Sequence, residues 1–171
     1  MRFLSVIIFI VLFAAITGYV IGQKKTDSAP IVTTETSKGG VIAVPSRNTL
    51  DLSGQGLIKT PEYIFTRIGL EELDLSDNAL DGALQSQVGQ LRNLKVLDLS
   101  NNNFTGVPAE VGQLRDLEVL DLSDNLLTGL PYELGNLSKL KVLDLSGNKY
   151  SKVDLAEIKK KLPSSVLIKT D

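Results

Sequence analysis

The chain has 171 residues, of which 43% are hydrophobic and 22% are charged, and its formal net charge is −2. This composition suits one ordinary folded domain, and a charge so close to zero argues against general nucleic-acid binding, which needs a clustered excess of Lys and Arg. Cysteine and histidine are both absent, which excludes thiolate nucleophiles, Cys/His zinc sites, disulfides and imidazole acid–base catalysis.

The first predicted element is an apolar segment at residues 3–22, which contains no Asp, Glu, Lys or Arg. As a helix it would be about 30 Å long, which matches the hydrocarbon core of a bilayer. We therefore predict a single-pass transmembrane anchor within residues 1–22, with the rest of the chain on the extracytoplasmic side of the membrane. The alternative is a signal peptide that is cleaved to leave a secreted protein, although this apolar run is longer than the usual run of about 7 to 15 residues.

The second region, residues 23–45, is predicted to be a flexible linker that ends in an N-terminal cap. Residues 23–40 are rich in Thr, Ser, Lys and Gly, so they cannot bury enough apolar surface to offset the entropy lost on ordering. The β-branched run at residues 41–44 follows and is stopped by Pro45, which favours an edge strand or a cap on the next domain.

Residues 46–171 contain an internal repeat. The segment that starts at Leu70 reads LEELDLSDN, and similar segments start 24, 23 and 23 residues further on, at Leu94, Leu117 and Leu140. A weaker first copy begins at Arg47. Leucines two apart on a strand face the same side, so each copy predicts a strand with a leucine side and a polar side. One copy cannot offset the entropy of ordering its own residues, so the copies must stack.

These motifs resemble the leucine-rich-repeat family, whose consensus is LxxLxLxxN with a period of about 20 to 29 residues. The second half of each copy, as in LTGLPYELGNL from Leu127, is similar to the LxGxLPxxLGxL variant of plant-type and many bacterial repeats. The resemblance implies an α/β solenoid with a concave parallel sheet and a convex side of irregular, 3-10 or short helical segments. It also implies protein binding through the concave face.

One copy departs from this variant, because it has Gln85 in place of the proline and one extra residue between Gly82 and Gln85. We expect the strand register to be unaffected, since the insertion lies outside the strand. The asparagine that closes each full motif is predicted to turn inward and to satisfy backbone groups where the strand bends. These asparagines are Asn78, Asn102, Asn125 and Asn148.

The end of the chain predicts two further elements. Residues 154–163 have apolar side chains at helical spacing, an acidic start, a lysine-rich end and a final proline, which together indicate a capping helix. Residues 166–168 are apolar and predict a last short strand.

The polar side of the predicted sheet is the candidate binding site, because every copy contributes Asp and Ser at equivalent positions and most add a Val. Strands lie about 4.8 Å apart, so equivalent side chains form columns across the sheet. The candidate partner-binding residues are Glu72, Asp74, Ser76, Val96, Asp98, Ser100, Val119, Asp121, Ser123, Val142 and Asp144. An acidic column of this kind would dock a basic segment of a partner, or a weakly held cation. The structural alternative is that each Asp is solvated and hydrogen-bonded to neighbouring hydroxyls, and that the valines only pack the strands.

The predicted function is a non-enzymatic module that is tethered to the membrane by residues 3–22 and binds a protein or peptide on its acidic concave face. No catalytic, cofactor-binding or metal-binding residue is assigned, and no nucleic-acid partner is expected. Paired carboxylates can hydrolyse glycosides only when their environments differ, whereas repetition makes these environments nearly identical. The alternative function is a structural or adhesion scaffold of the cell envelope without a dedicated ligand.

Overall fold

The computed structural model describes residues 48–171. The anchor predicted at residues 3–22 and the linker and cap predicted at residues 23–45 lie outside the described residues. Within residues 48–171, no helix is both long enough and apolar enough to cross a membrane.

The described residues form short parallel strands at the repeat period. In chain order these are β1 (Thr49–Asp51), β2 (Glu72–Asp74), β3 (Asp81–Ala83), β4 (Val96–Asp98), β5 (Asn103–Gly106), β6 (Val119–Asp121), β7 (Val142–Asp144) and β8 (Leu167–Lys169). Six of them form one sheet in the order β1-β2-β4-β6-β7-β8, and β3 pairs with β5 in a smaller sheet. Every pairing in both sheets is parallel. The parallel sheet predicted from the repeats is therefore confirmed.

Each strand of the larger sheet has a central leucine or isoleucine that points into the core. Leu73, Leu97 and Leu120 are paired across neighbouring strands, and each is at most 1% exposed. Leucines from every copy join one continuous hydrophobic cluster along the described chain. This stacking supplies the buried surface that no single copy could provide.

The extra residue in the copy that starts at Leu70 is absorbed outside this sheet. Strands β2 and β4 stay in continuous register, whereas the β3–β5 pairing shifts register between Gly82 and Ala83. Gly82 has a φ of +78°, a conformation that glycine adopts without steric cost. The prediction that the strand register survives the insertion is confirmed.

Short 3-10 helices form the second side of the repeats. They span Glu62–Thr66, Ser86–Gln90, Ala109–Gln113 and Tyr132–Asn136. Pro61, Pro108 and Pro131 precede three of them, and Gln85 precedes the fourth in the same extended conformation. Gln85 therefore takes the place of the usual proline without changing the local geometry.

Glycines let neighbouring 3-10 helices approach closely. A Cβ added at Gly112 would lie 2.3 Å from the backbone oxygen of Glu133, and one added at Gly89 would lie 2.9 Å from Cβ of Glu110. No real Cβ atom tolerates contacts this short. The glycine of the LGxL motif is thus a packing requirement between repeats.

The asparagines that close the motifs form an inner column, which we call the asparagine ladder (Asn78, Asn102, Asn125 and Asn148). The amide nitrogen of Asn102 donates to the carbonyls of Leu75 at 2.9 Å and Leu99 at 3.2 Å, and its Oδ1 accepts from the N–H of Leu80 at 3.0 Å. The other three asparagines bond in the same way. The predicted inward turn of these amides is confirmed.

The last repeat is followed by α1 (Lys152–Lys159) and then by β8. Helix α1 begins two residues earlier than the sequence predicts, because Ser151 caps it by accepting a hydrogen bond from the N–H of Asp154 at 3.3 Å. Leu155 and Ile158 are buried in the core. The helix and the strand therefore cover apolar surface after the last copy.

Candidate partner-binding surface

The side of the larger sheet that faces away from the leucines carries three columns of side chains, which we call the sheet face. The first column is Thr49, Glu72, Val96, Val119, Val142 and Leu167, and the second, the Asp column, is Asp51, Asp74, Asp98, Asp121, Asp144 and finally Lys169. The third column is Ser53, Ser76, Ser100, Ser123 and Ser146. All of the predicted site residues belong to these columns.

The Asp of each copy forms a turn that ends its strand. Oδ1 of Asp98 accepts hydrogen bonds from the N–H of Ser100 at 2.9 Å and from its Oγ–H at 2.7 Å. The same two bonds are made by the other four Asp–Ser pairs. Short polar side chains of this type replace backbone partners in turns, which explains why Asp-x-Ser recurs. The turn uses Oδ1 and leaves Oδ2 outside it.

Exposure varies across the sheet face. Asp51 on the edge strand β1 is exposed, and Glu72, Asp74, Val96, Asp98 and Ser100 are half-buried. The remaining predicted site residues are buried, with exposed fractions of 4 to 9%: Ser76, Val119, Asp121, Ser123, Val142 and Asp144. The structural alternative expected each Asp to be hydrogen-bonded to a neighbouring hydroxyl and to be solvated. The hydroxyl bonds are present, but Asp121 and Asp144 are buried and therefore not solvated.

Burial and mutual repulsion raise the pKa values of carboxyls in the Asp column. Burial raises the pKa of Asp98 to about 8, and the neighbouring carboxylates of Asp121 and Asp74 add to the rise. Burial also raises the pKa of Asp121 to about 6, although its hydrogen bonds to Ser123 oppose the effect. The pKa of Asp74 is raised by burial too. The column therefore carries less negative charge at neutral pH than isolated carboxylates would.

Lys169 ends the Asp column with the opposite charge. It lies beside Asp144 in the β7–β8 register, and its Nζ is 3.0 Å from Oδ2 of that residue. The positive charge of Lys169 also acts to lower the pKa of Asp121. The column is therefore acidic toward β1 and compensated toward β8.

Sequence reasoning missed the residues that follow the serines. Asp77, Asn101 and Asp124 all have φ between +51° and +56°, and the amide of Asn101 donates a hydrogen bond to Oδ1 of Asp77. All three are exposed at the border of the sheet face. The sequence could have indicated them, because Asp and Asn tolerate the left-handed conformation better than other non-glycine residues.

Among residues 48–171, no group of three or more acidic side chains is placed to hold a metal ion.

Comparison with known proteins agrees with the geometry. Models of the leucine-rich-repeat family match residues 69–91 and residues 92–149. Receptor-like protein 18 of Arabidopsis thaliana is 43% identical over 56 residues, which are 33% of this chain and 7% of that protein. Residues 69–149 of this chain thus consist of leucine-rich repeats. The matched region spans only 7 to 8% of the length of the receptor-like proteins it resembles.

Solved structures show the same likeness. A leucine-rich-repeat protein of Leptospira interrogans has a TM-score of 0.60 at 38% identity, covering 65% of this chain and 28% of that one. The plant peptide hormone receptor RGFR1, in complex with RGF2, has a TM-score of 0.59 at 33% identity, covering 71% of this chain and 21% of that one. The described residues thus share the fold of a repeat domain that, in the plant receptor, was solved with RGF2.

Proposed function

We propose that this protein is a non-enzymatic, membrane-tethered module that binds a protein or peptide on its sheet face. The observation that carries the proposal is the register of the sheet, which brings repeated carboxyl, hydroxyl and aliphatic side chains together on one surface. In this proposal residues 3–22 anchor the chain, residues 23–45 link the anchor to the domain, and the plant-type repeats of residues 46–171 lie outside the cytoplasm. The likeness to the RGF2-bound plant receptor supports this use of the fold.

The sheet face is physically suited to binding because its side chains are already held in place. The Asp–Ser turns fix Oδ1 of each carboxyl, so little side-chain entropy is lost when a partner docks. Oδ2 lies outside the turn, and in the half-buried Asp74 and Asp98 it can accept a hydrogen bond from a partner. A charged surface of this kind also speeds encounter with a basic partner and sets the orientation of docking.

A structural scaffold without a ligand is the competing function, because the same turns account for the Asp column without any partner. A substitution that separates the two roles is Asp→Asn. The amide keeps Oδ1 as an acceptor for the serine and cannot take up the negative charge that a docked cation would favour on a carboxyl with a raised pKa. Loss of binding with an intact fold would therefore report the loss of the carboxylate, with its charge and its Oδ2 acceptor, and not a loss of the turn.

The test is photo-crosslinking of the full chain in its native cells. A photoreactive residue at Val96, on the sheet face, is expected to give a discrete protein or peptide adduct, whereas one at Gln87, exposed on a 3-10 helix, gives none. The double variant Asp98→Asn/Asp121→Asn should then lower the yield of the Val96 adduct and flatten its dependence on salt concentration.

The matched control is Glu62→Gln/Glu133→Gln, which removes two charges from exposed positions on the 3-10 helices. This control should leave the adduct unchanged. Adducts that form equally from both photoreactive positions would overturn the assignment of the sheet face. No adduct from either position would favour the scaffold.

A further inference from the structure

The sheet face has two chemically different halves. We call β1, β2 and β4 the acidic half and β6, β7 and β8 the aliphatic half. In the first column the acidic half carries Thr49, Glu72 and Val96, whereas the aliphatic half carries Val119, Val142 and Leu167. The apolar side chains are thus concentrated toward β8.

The Asp column divides at the same place. In the acidic half it consists of Asp51, Asp74 and Asp98, which follow one another in direct register. In the aliphatic half it ends in the ion pair between Lys169 and Asp144, at 3.0 Å. Adjacent carboxylates repel, and a cation placed against them relieves that repulsion. The pKa of Asp98 is raised first by burial and then by the neighbouring carboxylates of Asp121 and Asp74, and this second part of the rise is one expression of the crowding.

The aliphatic half offers a contact of the opposite kind. Leu167 is 53% exposed and lies beside Val142 in the β7–β8 register. Covering its exposed surface with another aliphatic side chain is favourable in proportion to the apolar area removed from water, at about 25 cal/mol per Å². A cation placed here instead would face the ammonium group of Lys169.

We propose that the segment bound on the sheet face is extended and has two different ends: a Lys- or Arg-bearing end that lies on the acidic half, and an aliphatic end that lies beside Leu167 on the aliphatic half. This rests on the proposed function, because it assigns chemistry and orientation to the ligand of the same surface. Six strands about 4.8 Å apart span about 24 Å, which an extended peptide of about seven residues crosses. The reversed orientation places like charges together and leaves the acidic half uncompensated.

The experiment uses two synthetic peptides of about ten residues, long enough to cross the sheet. Both contain the same number of Arg and Leu residues, but one has them in separate blocks and the other has them alternating. Each is made with a benzophenone at one end or the other and is mixed with the full chain in a zwitterionic detergent. The crosslinked residues are then located by mass spectrometry.

The block peptide is expected to bind roughly tenfold more tightly than the alternating peptide. Its Arg-end benzophenone should crosslink within residues 48–77, and its Leu-end benzophenone within residues 142–171. Asp74→Asn/Asp98→Asn should weaken binding of the block peptide by roughly tenfold, and Leu167→Ser should reduce the crosslinks from the Leu end. The control Glu62→Gln/Glu133→Gln should leave its affinity unchanged.

A reversed crosslinking pattern, or equal affinity for the two peptides, overturns the two-ended assignment. A photoreactive residue at Val96 that still captures a native partner would then leave the proposed function standing. Adducts of native partners that form only from Gln87 overturn the proposed function itself, so the two failures are distinguishable.

Discussion

The asparagine ladder and the Asp column are both polar, both repeat in register and both are hydrogen-bonded, yet they bond to different parts of the molecule. The amide of Asn125 reaches the carbonyl of Leu99 at 2.9 Å and the N–H of Phe104 at 2.9 Å, so it joins its own copy to the copy before it. Asp121 instead bonds within its own copy, to the serine two residues later. The asparagine ladder therefore holds the stack together, whereas the Asp column, apart from the ion pair between Asp144 and Lys169, shapes each turn.

This difference separates stability from binding. A change in the asparagine ladder leaves buried backbone groups of two copies without partners. A change of charge in the Asp column can keep the turn intact, because an amide oxygen replaces the carboxyl oxygen as acceptor. The charge of the Asp column can thus be changed without loss of the fold.

The strongest test of this comparison is Asn125→Ala. It removes the partners of the Phe104 N–H and of the carbonyls of Leu99 and Leu122, and we expect the free energy of unfolding to fall by about 3 kcal/mol, because unpaired buried polar groups are costly. Urea unfolding followed by circular dichroism measures the change. The control is Asn93→Ala, which removes an exposed amide and should change stability by less than about 0.5 kcal/mol. Equal losses for the two variants would contradict the structural role of the ladder.

The glycines between neighbouring 3-10 helices offer a comparison that involves no polar side chain. Gly112→Ala places a Cβ 2.3 Å from the backbone oxygen of Glu133, so neighbouring 3-10 helices must move apart. We expect a loss of about 2 kcal/mol, as in other overpacked sites. Gly106→Ala is the matched control, because the nearest atom to its added Cβ is 3.8 Å away. A Gly112 variant as stable as the control would mean that the helices are not held in contact.

The Asp column should behave in the opposite way to the asparagine ladder when it is altered. The folded-state pKa of Asp98 is about 8 against a usual value of 3.8, so the folded chain binds the proton more tightly than the unfolded chain. The stabilisation that this proton gives the folded state is fully present below pH 3.8, the usual pKa, and is lost as the pH rises through about 8. Asp98→Asn is therefore expected to raise stability by about 1 to 2 kcal/mol at pH 8 and to change it little at pH 3.

The control for this pH dependence is Asp116→Asn. A hydrogen bond and an ion pair with Lys139 lower the pKa of Asp116. The stabilisation from this pair is therefore present above the usual pKa of an Asp and is lost as the pH falls through the lowered pKa. The two variants should thus differ in sign at pH 8. Thermal unfolding across the pH range measures both, and a destabilised Asp98→Asn at pH 8 would contradict the raised pKa that burial and the neighbouring carboxyls give Asp98.

The smallest effect is expected from contacts that join copies at the surface. Lys95 lies 2.7 Å from Glu71 of the preceding copy, and both side chains are substantially exposed. Lys95→Ala should lower stability by less than about 0.5 kcal/mol, and salt should reduce the effect further. If Lys95→Ala lowered the free energy of unfolding as much as Asn125→Ala, an exposed contact between two copies would stabilise the stack as well as a buried one.

Much of the fold could be predicted from spacing. Leucines two apart placed β2, β4, β6 and β7, the closing asparagines turned inward as expected, and the insertion before Gln85 stayed out of the larger sheet. Each of these depends on side-chain alternation or on local backbone demand, which a single copy of the motif contains. The β3–β5 sheet was missed, because its strands have no leucine alternation and pair only once the copies are stacked.

The candidate site was predicted less completely. The Asp, Ser and Val members of its columns followed from the repeat. Leu167 and Lys169 at the β8 end, the crowding around Asp98 and the left-handed residues at Asp77 and Asp124 did not. Lys169 is 25 positions beyond Asp144, and nothing in the local sequence of either residue indicates the other. Their pairing required β8 to add to the sheet in register.

The amino-acid sequence by itself determined that copies of about 23 residues stack into a parallel sheet, because each strand must turn its leucines toward one side and no copy can fold alone. Only the tertiary structure decided which carboxyls are buried, which carboxyl is paired with a lysine and which glycines let neighbouring helices pack closely. Those properties depend on atoms that come from the next copy in the stack, and spacing along one copy contains no information about its neighbour's side chains.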